Sequence, residues 1–222
     1  MPFNLYIFLG LALVVSYALG HYHARYRTHS FQNRGEALIS RAIQLNFPSP
    51  NYHLFNHITM QLVDGTTQID HILVSRFGIF VIETKDYSGW IFANAKQATW
   101  TQVLFGKKFK FQNPIFQNHR HIEAIKKSLD FLPPSTVKSL VVFTGEAKFK
   151  TEMPSGVFTA ETVLEYIRSH TEEVISLNRM QFCVGRIETE RLAITGQTDL
   201  DHLASLNRRY IEKLKLDRKN LQ

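Results

Sequence analysis

Two nearly continuous apolar runs, Gln68 to Ser75 and Ile79 to Thr84, are separated only by Arg76-Phe77-Gly78. A gap that short leaves room for a tight turn, so the two runs form a β-hairpin. A strand with one wet face alternates apolar and polar residues. These runs do not alternate, which places them inside a sheet covered on both faces. The rest of the chain supplies the cover. Leu38, Ile39, Ala42, Ile43 and Leu45 form an apolar stripe on a helix that begins near Arg34 and stops before Pro48 and Pro50. Tyr52 to Leu62 is a strand, turned at Asp64-Gly65. Trp90 to Phe111 is further β structure with a turn at Gly106-Lys107, and Ile115 to Leu132 is a helix stopped by Pro133-Pro134. Lys138 to Thr144 is a buried strand. A short strand follows Gly156, with helices near Ala160 to His170 and Asp199 to Leu216. Helix, antiparallel strands, helix and strand make an α/β fold with a mixed sheet.

Phe3 to Gly20 carries no charged residue, and as a helix it spans roughly 27 Å, close to the hydrocarbon thickness of a bilayer. Tyr17, Tyr22 and Tyr26 suit the headgroup level. The residues before the run include no Lys or Arg, whereas Arg25, Arg27 and Arg34 follow it before the first acid, Glu36. That asymmetry holds the C-terminal side in the cytoplasm and argues for a single-pass anchor in an inner or plasma membrane over a cleaved signal peptide. The hydrophobic fraction of 44% and the 17 phenylalanines exclude general disorder. One cysteine, Cys183, excludes a disulfide framework and reads as a small buried hydrophobe. Net charge is +7, which favours polyanionic partners, nucleic acid or an anionic membrane.

Three charged residues interrupt the hairpin: Asp70, Glu83 and Lys85. A turn centred between Arg76 and Phe77 sets Asp70 opposite Glu83, with Cβ atoms roughly 4.5–5.5 Å apart. Lys85 emerges two residues on, on the face of Glu83. Opposed carboxylates in an apolar setting repel, so one binds a proton or a cation neutralises both. Lys85 serves in part. A divalent cation serves better, since Mg²⁺ takes one or two protein carboxylates together with water and substrate phosphate. Metal-assisted phosphodiester hydrolysis uses such a set, with the lysine polarising or orienting the nucleophile. A cross-strand salt-bridge network is the structural alternative. His71, next to Asp70, points to the opposite face and is expected to be packed or hydrogen-bonded.

The ordered set Gly35-Glu36, Ile69-Asp70-His71-Ile72, Gly78 to Gly89 (GIFVIETKDYSG) and Gln112-Asn113-Pro114-Ile115-Phe116-Gln117 resembles the NERD, or nuclease-related, domain over about Arg34 to Thr144. The resemblance implies a PD-(D/E)xK superfamily fold, restriction-endonuclease-like with an αβββαβ core, although Ile69 rather than proline precedes Asp70. It implies that Asp70 and Glu83 are metal ligands, with the backbone carbonyl of Thr84 as a third. Lys85 becomes the catalytic lysine, Glu36 an additional acid near the metal, and Gln117 a contact to substrate or to a metal-held water. The chain then divides into an anchor (1–24), a basic linker (25–33), the nuclease-like core (34–150) and a C-terminal α/β extension packed on it (151–222).

Lys107, Lys108 and Lys110 interleave with Phe105, Phe109 and Phe111. Phosphate contact with base stacking explains that pattern, as does a plain amphipathic hairpin with rings inward and lysines in water; the lysines are candidate substrate-binding residues. His21, His23, His119 and His121 lack zinc spacing and are expected in solvent, with His119, Arg120, Lys126 and Lys127 on one helix within reach of phosphate. The expectation is a membrane-anchored, cytoplasm-facing nuclease dependent on Mg²⁺, or Mn²⁺ in its place, acting on DNA rather than RNA. The alternative is a non-catalytic nucleic-acid-binding or protein-interaction module tethered to the membrane.

Overall fold

The computed structural model describes Ser16 and residues 33–219. The expected anchor at 1–24 and the linker that follows it therefore fall outside the described residues. Among the described residues no helix is long and apolar enough to cross a membrane. The chain divides into two units, Met1–Asn33 and Arg34–Gln222, and the fold is that of the second.

Its centre is a five-stranded mixed sheet. β1 (Tyr52–Leu62), β2 (Gly65–Ser75) and β3 (Gly78–Lys85) run as an antiparallel meander, and β7 (Val137–Phe143) and β9 (Val157–Thr159) add in parallel, in the order β1-β2-β3-β7-β9. Ser75 pairs with Gly78 across Arg76-Phe77, so the register is that of a turn centred between those two residues. Ile72, Val74, Ile79 and Val81 face a core shared with α2 (Pro114–Ser128) and α4 (Leu177–Glu190), through Ile122, Ile125, Met180, Cys183 and Ile187. Leu73, Phe80, Ile82, Leu140 and Val142 face the other side, against Ile39 and Ile43 of α1 (Arg34–Asn46) and Val163 and Ile167 of α3 (Ala160–Ser169). Apolar residues on both faces of β2 and β3 are thus explained by helices on both faces.

The sequence suggests one mixed sheet; the structure has two. β4 (Gly89–Phe92), β5 (Thr99–Leu104), β6 (Lys107–Gln112) and β8 (Ala147–Phe149) form a second sheet in the order β6-β5-β4-β8. One face of it, with Ile91, Trp100 and Phe111, packs on Val141, Phe143 and Val157 of the main sheet. The β5–β6 turn falls at Phe105-Gly106, one residue earlier than expected. Both residues have positive φ, 49° and 74°, as a two-residue hairpin requires for its twist. α2 ends at Ser128, short of Leu132. α4 was not anticipated: its sequence is polar, and its buried stripe is only Met180, Cys183 and Ile187. A last helix, α5 (Gly196–Lys219), lies along β2, where the Ser205 hydroxyl accepts from the Thr66 amide at 3.2 Å and Arg209 donates to the Thr66 carbonyl at 3.0 Å.

One irregularity matters for the site. Ile69 and Ile72 both join the α2-side core although they stand three positions apart, an odd offset that regular alternation would send to opposite faces, so the alternation of β2 slips once between them. β1 slips opposite, at His57, whose φ is 52°, and the ladder passes directly from Asn56↔His71 to Ile58↔Ile69. The skipped pair is His57 and Asp70. A non-glycine residue in the left-handed region costs about 1–2 kcal/mol, and such strain clusters at functional sites.

Candidate active site

Asp70, Glu83 and Lys85 come together at the end of the hairpin away from its turn. Beyond the last regular pair, His71↔Ile82, the Asp70 carboxylate turns onto β3 and accepts from the Thr84 amide at 2.7 Å. Glu83 is 1% exposed. One of its oxygens accepts from the Lys85 ammonium. The other accepts from His121 Nε2 at 3.0 Å. A carboxylate here only accepts, so His121 carries its proton on Nε2, and its Nδ1 faces the Thr67 hydroxyl at 2.7 Å. The Lys85 ammonium also donates to Gln117 Oε1 at 3.0 Å. Lys85, Gln117, His121 and Glu83 form one hydrogen-bonded network.

The two acids behave oppositely. Burial pushes the Asp70 carboxyl well above the usual carboxylate range, and the nearby charges of Glu83 and Glu36 push it further; the Thr84 amide and Lys85 only partly oppose them. Asp70 therefore tends to hold a proton. Burial raises Glu83 as well, but the His121 hydrogen bond and Lys85 outweigh it and hold Glu83 low. For Lys85, burial pulls the ammonium down, yet Glu83 and Asp70 together keep it above its ordinary value. Glu83, held low, thus sits between two donors, while Asp70 beside it is held high.

α2 is positioned for this by its own sequence. Asn113 caps it, accepting from the Ile115 amide at 2.9 Å, with Pro114 at the first helical position, where its missing N–H costs nothing. The Asn113 amide donates to the Gln97 carbonyl at 2.7 Å, fastening the helix start to the β4–β5 loop. Asn118, fully buried, donates to the carbonyls of Val81 and Leu140 on the paired strands β3 and β7. Gln117 and His121, four residues apart, then share a helix face and reach Lys85 and Glu83 respectively.

Glu36, on the first turn of α1, is buried and acts on Asp70 through its charge. Gly35 lets the helix start come this close: a Cβ there would stand 2.3 Å from the Thr144 hydroxyl and 2.8 Å from the Asp86 Cβ. Next to the network opens a cleft of about 660 Å³, lined among others by Lys110, Gln117, Arg120, His121, His202 and Arg209. The structure thus brings Lys110 and Gln117 to one cleft. Lys107 and Lys108 are exposed on β6, and Lys107 stands on the opposite face of that strand from Lys108 and Lys110.

Residues 32–144, just over half of the chain, match the family model described as the nuclease-related domain, NERD. The chain belongs to the NERD family. An uncharacterized protein of Bacillus anthracis is 47% identical over 92 residues, which make up 41% of this chain and 43% of that one. The chain thus aligns with less than half of that relative's length. No solved structure matches.

Within the NERD segment lie all four acid and lysine positions and the α2 residues that hold them. α5, which supplies His202 and Arg209 to the cleft, lies outside it. His121 corrects the sequence reading: it is buried on Glu83, not solvated. Its four-residue spacing from Gln117 on a helix was the available signal. Phe105 and Phe109 correct another. They are exposed, so the β5–β6 hairpin does not turn all its rings inward; only Phe111 of the three packs against the core. Among the described residues no three His, Cys, Asp or Glu side chains converge as a metal-holding group. The pair of partly buried Asp70 and buried Glu83 nonetheless suits a divalent cation, because its hard oxygen donors repel one another and the raised Asp70 carboxyl marks a place where a cation's charge would be welcome.

Proposed function

We propose that this NERD domain is a divalent-metal-dependent nuclease that hydrolyses phosphodiester bonds, with DNA as its substrate and Mg²⁺ or Mn²⁺ as its metal. The observation that carries the reading is the pair of partly buried Asp70 and buried Glu83 beside Lys85, whose partners Gln117 and His121 line a cleft with Lys110, Arg120 and Arg209 in its walls. Asp70 and Glu83 would hold the metal, with the Thr84 carbonyl as a third oxygen. When bound, the metal supplies charge neutralisation at the phosphate and makes a water molecule more acidic.

The remaining work falls to the protein. Gln117 and Glu83 orient the Lys85 ammonium, which offers its one remaining hydrogen to a phosphate oxygen or to the attacking water. His121 keeps Glu83 ionised and fixes its orientation, as a partner behind a ligand does. Burial, with the charges of Glu83 and then Glu36, raises the Asp70 carboxyl, a cost that a bound cation would offset. The apolar run 3–20 and the arginines after it support anchoring in an inner or plasma membrane with this domain in the cytoplasm. The test is cleavage of plasmid DNA and of RNA by full-length protein with Mg²⁺, with Mn²⁺ and with chelator, compared with Asp70→Asn. Cleavage that needs the metal and Asp70 supports the proposal. Metal uptake without cleavage of either polymer points instead to a tethered binding module.

A further inference from the structure

The second sheet has one face packed and one bare. Trp90 and Phe92 stand on the bare side, 49% and 40% exposed, while Ile91 between them is fully buried. Cross-strand pairing sets out what surrounds them. One row runs Lys108, Val103, Trp90, Lys148, and the next runs Lys110, Thr101, Phe92. Lys150 completes the group, its ammonium 4.6 Å from the centre of the Trp90 ring. None of the four strands contains an acidic residue. The outcome is two aromatic rings about 7 Å apart along one strand, flanked by lysines on both sides. The face is also continuous with the cleft beside the network, because Thr99 of β5 and Lys110 and Gln112 of β6 line that cleft too.

We infer that this face is a platform for single-stranded nucleic acid, on which Trp90 and Phe92 stack bases while Lys108, Lys110, Lys148 and Lys150 hold the phosphates. Four lysines without an acid on the strands complement a polyanion. Exposed rings on a sheet face stack only on bases that are unpaired, which selects a single strand over a duplex. Lys110 hands the strand from the platform to the cleft, whose wall includes Gln117, the hydrogen-bond partner of Lys85. The inference deepens the nuclease reading and rests on it for the polymer; binding and cutting are measured apart.

The probe is a fluorescein-free oligothymidylate of about 20 nucleotides, long enough to cover one such site, titrated into full-length Asp70→Asn protein in detergent. The chain has two tryptophans, Trp90 and Trp100. Trp100 is 1% exposed, so quenching of emission reports Trp90. The expected result is quenching by the single strand at concentrations at least tenfold below those needed for a duplex of the same length, weakening with salt. Trp90→Ala and Phe92→Ala should each weaken binding by about tenfold or more, measured by filter retention, with unchanged melting temperature since both side chains are on the surface. Equal binding of duplex and single strand, or full affinity in the Trp90→Ala/Phe92→Ala double variant, would overturn the inference. So would a Trp90 blue shift on vesicles with phosphatidylserine, relative to phosphatidylcholine alone, without quenching by the oligonucleotide, because the face would then be a membrane contact. Absence of cleavage in wild type alongside intact single-strand binding would remove the nuclease and leave the platform.

Discussion

His121→Ala tests whether Glu83 is held by the network described. The substitution deletes the 3.0 Å donation to Glu83 Oε2 and the 2.7 Å contact with Thr67. Glu83 keeps Lys85, so the buried carboxylate is left half satisfied. A hydrogen bond to a charged group contributes about 1.5–3 kcal/mol. For a domain of this size that corresponds to a loss of roughly 4–10 °C in melting temperature. The pH dependence has a definite sign. Glu83 is held low in the folded state, so its stabilisation is present above the ordinary carboxylate range and is lost as pH falls through its lowered value. Without His121 that loss sets in at higher pH. Metal affinity should drop by about 10–100-fold, the usual cost of losing a partner behind a ligand, and should recover in part in His121→Gln, which keeps a donor. Differential scanning fluorimetry across pH and Mg²⁺ titrations of cleavage measure both effects. A variant that melts within about 1 °C of wild type and needs no more metal would refute the role of His121.

Three further outcomes follow from the same geometry. Lys85→Met should lower cleavage by about 10²–10⁴-fold while Mg²⁺ still raises the melting temperature, since the two carboxylates remain. Burial lowers His71 to about 3, so between the ordinary histidine value and that point acidification protonates only the unfolded chain. Stability should fall by about 1.4 kcal/mol per pH unit there, and His71→Asn should flatten the slope in urea melts. The proton on Asp70 competes with metal, so the Mg²⁺ concentration for half-maximal thermal shift should fall as pH rises, and a pH-independent midpoint would contradict a raised Asp70.

Much of this arrangement was legible in the sequence because it is local. The two-residue turn at Arg76-Phe77 dictates the β2–β3 register as far as His71↔Ile82, which brings Asp70 next to Glu83 and Lys85; the expected Asp70–Glu83 pairing itself is replaced by the Asp70 carboxylate bonding to the Thr84 amide, because β2 slips there. The apolar runs on both sides of them announce helices on both faces of the sheet. The α2 start is likewise written in Asn113-Pro114. What the sequence hid depends on distant packing. His121 reads as one of four solvated histidines until α2 is laid across β3, where it meets Glu83. The slip in alternation at His57 and Asp70 leaves no mark on composition, since neither strand gains a residue. Trp90 and Phe92 look like core residues by type, and only the pairing of β4 with β5 and β8 turns them outward. α4 was missed because its apolar stripe is three residues long in a polar segment, and it folds as a helix only because the α2-side core is there to receive it.

The central claim is that Asp70 and Glu83 hold a catalytic cation, and the most direct measurement is Mg²⁺-dependent cleavage by full-length wild type and Asp70→Asn side by side. Asn at this position keeps an acceptor for the Thr84 amide and removes a group that burial and two neighbouring acids already disfavour as an anion. The variant should therefore melt at or above the wild-type temperature without metal, lose the Mg²⁺-induced rise, and lose cleavage by more than about 100-fold. Cleavage by Asp70→Asn at the wild-type rate, or a wild type that cuts equally well in chelator, would contradict the account.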